Sequence, residues 1–202
     1  MGERVTAGVT VRGHRVVLRP YRLDEVDAMT DAMSTAEARA WLPLGAPPRH
    51  ELRRRVEAAG EPSEGRIDLA IEAGGRLVGE IDGRHPRWAV PPGVWEIGIS
   101  MFASADRGRG YGREALGLMC DRLFDREGAH RVALTTDLEN APMRAVAERC
   151  GFRFEGVLRS FMPGADGTRR DYAMYAITKD DWTALRAEGD GRAPTTSTEG
   201  TD

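Results

Sequence analysis

Ser104-Ala105-Asp106-Arg107-Gly108-Arg109-Gly110-Tyr111-Gly112 decides how the rest of this 202-residue chain is read. Three glycines alternate with Arg107, Arg109 and Tyr111, and from Arg113 the pattern turns helical, with Leu116, Met119, Cys120, Leu123 and Phe124 on one face. Upstream, Val94–Phe102 (V-W-E-I-G-I-S-M-F) has strand character. A strand therefore feeds a glycine turn that opens a helix. Glycine accepts the positive φ values that larger residues resist, so such a turn can aim successive N–H groups at one point, and the helix start adds partial positive charge. The arrangement suits a phosphate or pyrophosphate; it also suits an ordinary turn with a helix cap.

Working outward, the helix over Tyr111–Glu127 leads to a short strand, Arg131–Thr136, of the kind expected after a helical crossover. A second helix is expected from Ala141 to Cys150, capped by Asn140, opened by Pro142 and closed by Gly151, with Met143, Val146, Ala147 and Cys150 buried. Two strands, Phe152–Phe161 and Thr168–Ile177, flank the turn cluster Pro163–Gly167. Upstream, Ile67–Glu72 and Leu77–Ile81 flank Gly74-Gly75 and read as an antiparallel hairpin. Residues Asp82–Pro92 read as a loop carrying His85 and Trp88. A first strand spans Arg15–Arg19, a helix starts near Asp24 with Val26, Met29 and Met33 on one face, and another covers His50–Ala59 with Arg53, Arg54 and Arg55 mostly outward. The proline-broken stretch Ser34–Pro48 exposes Trp41 as a candidate pocket wall. Gly98, in mid-strand, marks a bulge, a close approach or a harmless defect.

At 41% hydrophobic and 30% charged residues, the composition is that of one ordinary domain, taken as 14–187 between an N-terminal arm, 1–13, and a disordered tail, 188–202. A net charge of −3 argues against a broad basic surface for nucleic acid. The N-terminus lacks the apolar core of a signal peptide and no run has membrane-spanning length, so a cytoplasmic protein without a membrane partner is expected. Cys120 and Cys150 fall on apolar helix faces, and neither a disulfide framework nor a metal site is implied.

Arg107-x-x-Gly110-x-Gly112, at the junction of a central strand and a helix, resembles the cofactor signature of the GNAT N-acetyltransferase superfamily. Asn140 through Gly151-Phe152 resembles that family's second cofactor segment, and Arg170-Asp171-Tyr172 through Trp182 is similar to the branch of ribosomal-protein-alanine N-acetyltransferases. The resemblance covers about residues 14–182. It implies an α/β fold, a twisted mixed sheet of six or seven strands with helices on both faces, and acetyl-CoA held where two central parallel strands splay apart. The backbone of Arg107, Gly108, Arg109, Gly110, Tyr111 and Gly112 would hold the pyrophosphate, Met101, Phe102 and Ala103 would pair with the pantetheine arm, and Asn140 would contact CoA or serve as a helix cap, or both.

Acetyl transfer to an amine needs a base, an oxyanion donor and a proton for the thiolate. Glu96 and Glu80 are the first candidates for the base, because each interrupts an apolar strand, with Asp82 third; Glu96, Gly98 and Ser100 share one face of their strand. A backbone N–H of Phe102 or a neighbour is the expected oxyanion donor. Ala147 stands where many relatives carry a proton-donating tyrosine. The expected activity is N-acetylation of a protein N-terminus, a lysine or a small-molecule amine, with a catalytically silent acyl-CoA-binding domain as the alternative. The resemblance also places Trp41, His85 and Trp88 near the acceptor, and the last strands are compatible with a homodimer.

Overall fold

Short runs of alternating polarity, punctuated by glycine turns, build one eight-stranded sheet in a computed structural model that describes residues 9–35, 38, 45–58, 65–86, 90–164 and 167–188. The strands are β1 (Val11–Arg12), β2 (Val16–Arg19), β3 (Arg66–Ala73), β4 (Arg76–Arg84), β5 (Val94–Met101), β6 (Arg131–Asp137), β7 (Arg153–Pro163) and β8 (Arg169–Thr178). Their order is β1-β2-β3-β4-β5-β6-β8-β7. Every neighbouring pair is antiparallel except β5 and β6, which run parallel at the centre. Eight strands replace the expected six or seven; Val11–Arg12, at the end of the supposed arm, pairs with Val17 and Leu18 of β2.

Five α-helices cover the two faces among the described residues: α1 (Val26–Met33), α2 (Arg49–Ala58), α3 (Tyr111–Asp125), α4 (Ala141–Arg149) and α5 (Lys179–Ala187). The α3 stripe follows from its spacing, and Leu116, Met119, Cys120, Leu123 and Phe124 are all sealed against the sheet with Trp95, Ile97, Val132 and Leu134. Each large apolar side chain buried in this way contributes roughly 1.5–3 kcal/mol before chain entropy is counted. On the opposite face a smaller core joins Val26, Met29 and Met33 of α1 to Leu52 and Val56 of α2, over Tyr21 and Ala70.

Three expectations change. Strand β4 continues to Arg84, because Asp82 and Arg84 stay in register with Gly98 and Glu96 of β5; the loop does not begin at Asp82. Helix α5 was not foreseen, although Thr178 and Asp181 form a reciprocal capping box and Trp182 is buried; its indole N–H donates to Asp121 Oδ1 at 3.1 Å. Glu188, assigned to the tail, closes α5 by donating its N–H to the Ala184 carbonyl at 3.0 Å. Trp41, Trp88 and residues 189–202 lie outside the described residues.

Candidate active site

Strands β5 and β6 pair over Val94↔Arg131, Trp95↔Val132 and Glu96↔Ala133, then part, although β5 runs on to Met101 and β6 to Asp137. Beyond Glu96, β5 is held from one side only, by β4, in unbroken register to Gly79↔Met101. The Phe102 N–H donates to the Val78 carbonyl at 3.0 Å, which removes it as the oxyanion donor. Successive backbone groups of a strand point in opposite directions, so the C=O of Ile97 and the N–H and C=O groups of Ile99 and Met101 face the gap. The Met101 N–H, one residue before Phe102, is thus turned away from β4 and into the gap. Ala103 follows as the extended residue that leads out of the strand.

At the mouth of the gap, Ser104–Asp106 forms a 3-10 turn whose buried Asp106 carboxylate accepts from Arg76 Nη2 at 3.1 Å. The chain then reverses through Gly108 at φ 71° and Gly110 at φ 83°, and Gly110 caps α3. Among the described residues the N–H groups of Gly108, Arg109, Gly110, Tyr111 and Gly112 meet no acceptor. Consecutive free amides at a helix start form an anion cradle, and their exposure lets water satisfy them until a ligand does. Arg109 folds back, its Nε donating to the Ala105 carbonyl at 2.8 Å, so its side chain also braces the turn. Asn140 follows the end of β6; its Oδ1 accepts the Met143 N–H at 3.2 Å, so the helix-cap role is real and leaves the amide nitrogen unused by the cap.

Directly opposed residues of antiparallel strands share a sheet face. The pairs Arg84↔Glu96, Asp82↔Gly98 and Glu80↔Ser100 of β4 and β5, continued by Arg66↔Arg84 and Asp68↔Asp82 of β3 and β4, assemble four carboxylates and two guanidiniums on the side facing α1 and α2. A third guanidinium comes from α2: Arg55 Nη2 lies 3.1 Å from Asp68 Oδ1 and 3.2 Å from Glu80 Oε2. The Tyr21 hydroxyl donates to Glu80 Oε2 at 3.4 Å. Burial raises the Glu80 carboxyl above its ordinary range, with Asp82 and Asp68 adding to the shift and Arg55 opposing it. Burial likewise raises Asp82 against the pull of Arg84 and Arg66, and pushes the Tyr21 phenol well up with help from Glu80. Burial opposes the charge on Arg55, but Glu80, Tyr21, Asp68 and Asp82 together hold it protonated. A Cβ on Gly98 would lie 2.6 Å from Asp82 Oδ1, so this mid-strand glycine makes room for a carboxylate of the neighbouring strand.

Glu96 differs from Glu80 in access. Its side chain keeps 38% exposure against 14% for Glu80. Its Oε1 accepts from Thr135 Oγ1 at 3.5 Å and lies 3.7 Å from Arg84 Nη2. It stands where β5 and β6 part, whereas Glu80 lies opposite Ser100, further toward the mouth.

Arg55 is the main residue that the sequence reading placed wrongly, on the solvent side. The signal was available, since Leu52, Arg55 and Val56 fall at i, i+3 and i+4, the spacing of one helix face. Tyr21 was not singled out at all. His85 lies at the closed end of β5, its Nδ1 donating to the Val94 carbonyl at 2.8 Å and its ring 5.6 Å from that of Trp95. Ala147 is fully buried, and its methyl group carries no proton to donate. Among the described residues no helix is long and apolar enough to cross a membrane, and no group of His, Cys, Asp and Glu is arranged to hold a metal ion.

This geometry has relatives. A family model described as an acetyltransferase (GNAT) domain matches residues 15–153. A mycothiol acetyltransferase from Pseudarthrobacter chlorophenolicus is 30% identical over 138 residues, 68% of this chain; the match spans 42% of that relative's length. RimJ from Mycobacterium smegmatis, solved with CoA-disulfide, superposes with a TM-score of 0.73 at 26% identity, covering 89% of this chain and 94% of that one. A GCN5-related N-acetyltransferase from Brucella melitensis superposes at 0.69 and 29% identity, over 88% and 82%. Matched over most of its length, with a splayed central strand pair and an amide cradle at the mouth, the chain belongs to the GNAT acetyltransferase family.

Proposed function

We propose that the protein transfers an acetyl group from acetyl-CoA to a primary amine, on a protein N-terminus, a lysine or a small molecule, by direct attack. The observation that carries this reading is the β5–β6 gap with unpaired strand backbone along one wall and five free amides at its mouth. Acetyl-CoA supplies the acetyl group as a thioester. The amides from Gly108 to Gly112 receive its pyrophosphate, Arg107 and Arg109 add positive charge that solvent screens, and Met101 and Ala103 pair with the pantetheine arm as an added strand would. Phe102, whose N–H is already engaged, contributes its position in the strand. Asn140 closes the mouth from the β6 side.

Glu96 is the base in this reading. A base must be reachable by the amine or by one bridging water; the exposed Glu96 at the parting point fits that task better than the buried Glu80. Glu80 then serves to hold Arg55 and shape the acceptor side. The Met101 N–H faces the carbonyl oxygen of the donor and favours negative charge there. With Ala147 buried, the departing thiolate takes its proton from solvent, and positioning supplies much of the rate. In kinetics with acetyl-CoA and an accepted amine, Glu96→Gln lowers kcat/KM about 10²- to 10⁴-fold and flattens the acidic limb of the pH–rate profile. An unchanged profile removes Glu96 from the role.

A further inference from the structure

Resting on the acetyl-CoA reading above, we propose that Arg15 is a positioning residue that locks the pyrophosphate cradle from outside the two cofactor segments. Arg15 precedes β2, far from the cradle in sequence, yet its Nη1 donates to the Arg109 carbonyl at 2.8 Å. That carbonyl belongs to the peptide bond leading into Gly110, so the bond fixes which way the Gly110 N–H is turned. Gly110 sits close under the guanidinium: a Cβ there would lie 3.0 Å from Arg15 Nη1.

The backbone of Arg15 is anchored independently of its side chain. Glu114, in the first turn of α3, accepts the Arg15 N–H at 2.8 Å and the Val16 N–H at 3.4 Å through Oε1. The two ties cross, one running from the cradle helix to the β2 backbone and one from the Arg15 side chain back to the cradle. Removing the side chain therefore leaves β2 seated and frees only the Arg109–Gly110 peptide. On the other flank, Arg76 holds Asp106 and so the 3-10 turn, which leaves the segment between Arg107 and Gly110 as the part that Arg15 must steady. A preorganised cradle binds its anion without first having to order it.

The test compares CoA with S-acetyl-pantetheine, which lacks the pyrophosphate, in calorimetric titrations of the full chain. For Arg15→Ala the expected result is a Kd for CoA raised about 5- to 10-fold, in keeping with one lost exposed bond at a charged site. The Kd for S-acetyl-pantetheine stays as in the wild type, and Arg15→Lys, which can still donate to the carbonyl, recovers most of the CoA affinity. Unchanged CoA binding in Arg15→Ala overturns the proposal, and so does an equal loss for both ligands, which marks general damage. Wild-type protein that binds neither ligand overturns the acetyl-CoA reading itself, a result that the Arg15 variants cannot mimic.

Discussion

Replacing Gly110 by alanine tests the cradle at its most constrained point. The residue sits at φ 83°, where a side chain costs about 1–2 kcal/mol, and its new Cβ would crowd Arg15 Nη1 at 3.0 Å. If the turn holds, thermal stability falls by about 2–8 °C for a domain of this size. If the turn instead relaxes to negative φ, the Gly110 and Tyr111 N–H groups swing out of the cradle. One or two hydrogen bonds to a charged group are then lost, at about 1.5–3 kcal/mol each, which weakens CoA about 10-fold or more. Gly108→Ala is the control: its φ of 71° carries similar strain, but nothing lies within 4 Å of its Cβ. Calorimetric CoA titration and thermal melts of both variants separate the two responses. A folded Gly110→Ala protein with wild-type CoA affinity and an unchanged melting temperature fits neither response and would refute the assignment of the pyrophosphate to these amides.

Glu80→Gln should alter the pH dependence of stability. The folded-state carboxyl of Glu80 is raised above 4.5, so the fold favours its neutral form; that stabilisation is complete below the unfolded value and is lost as pH rises through the folded one. The variant lacks this loss, so its stability relative to wild type rises with pH across that window in denaturant titrations, and a fall instead would contradict the burial argument. Asn140→Ala removes a helix cap at a cost of about 1 kcal/mol, while Asn140→Ser restores the cap. Serine should recover the melting temperature but not the CoA affinity; full recovery of both would reduce Asn140 to a cap.

The glycine turn and its flanking elements were legible because they are built from backbone. Glycines at Gly108 and Gly110 and the cap at Asn140 announce themselves locally, and the strand and helix around them follow from period and punctuation. The charged cluster under α1 and α2 is built from side chains that meet across strands and from another layer, and no local pattern records register. Glu80 and Glu96 stand out as charges in apolar strands, but that Asp82 sits under Gly98, or that Arg55 reaches from α2 to Glu80, depends on pairings fixed only in three dimensions. Phe102 was misread for the same reason, since the direction of its N–H is set by its partner Val78. Helix α5 left a legible trace, Thr178-x-x-Asp181 before Trp182 and Leu185, which the acidic, turn-rich tail beyond it obscured.

The most direct measurement is thiol release from acetyl-CoA by the full chain across a panel of peptides with free N-termini, lysine side chains and small amines, with the acetylated product identified by mass. The predicted result is one equivalent of thiol per acetylated amine for at least one acceptor class, strongly reduced in Glu96→Gln. Tight CoA binding with no thiol release on any amine would contradict the catalytic claim and leave an acyl-CoA-binding domain in its place.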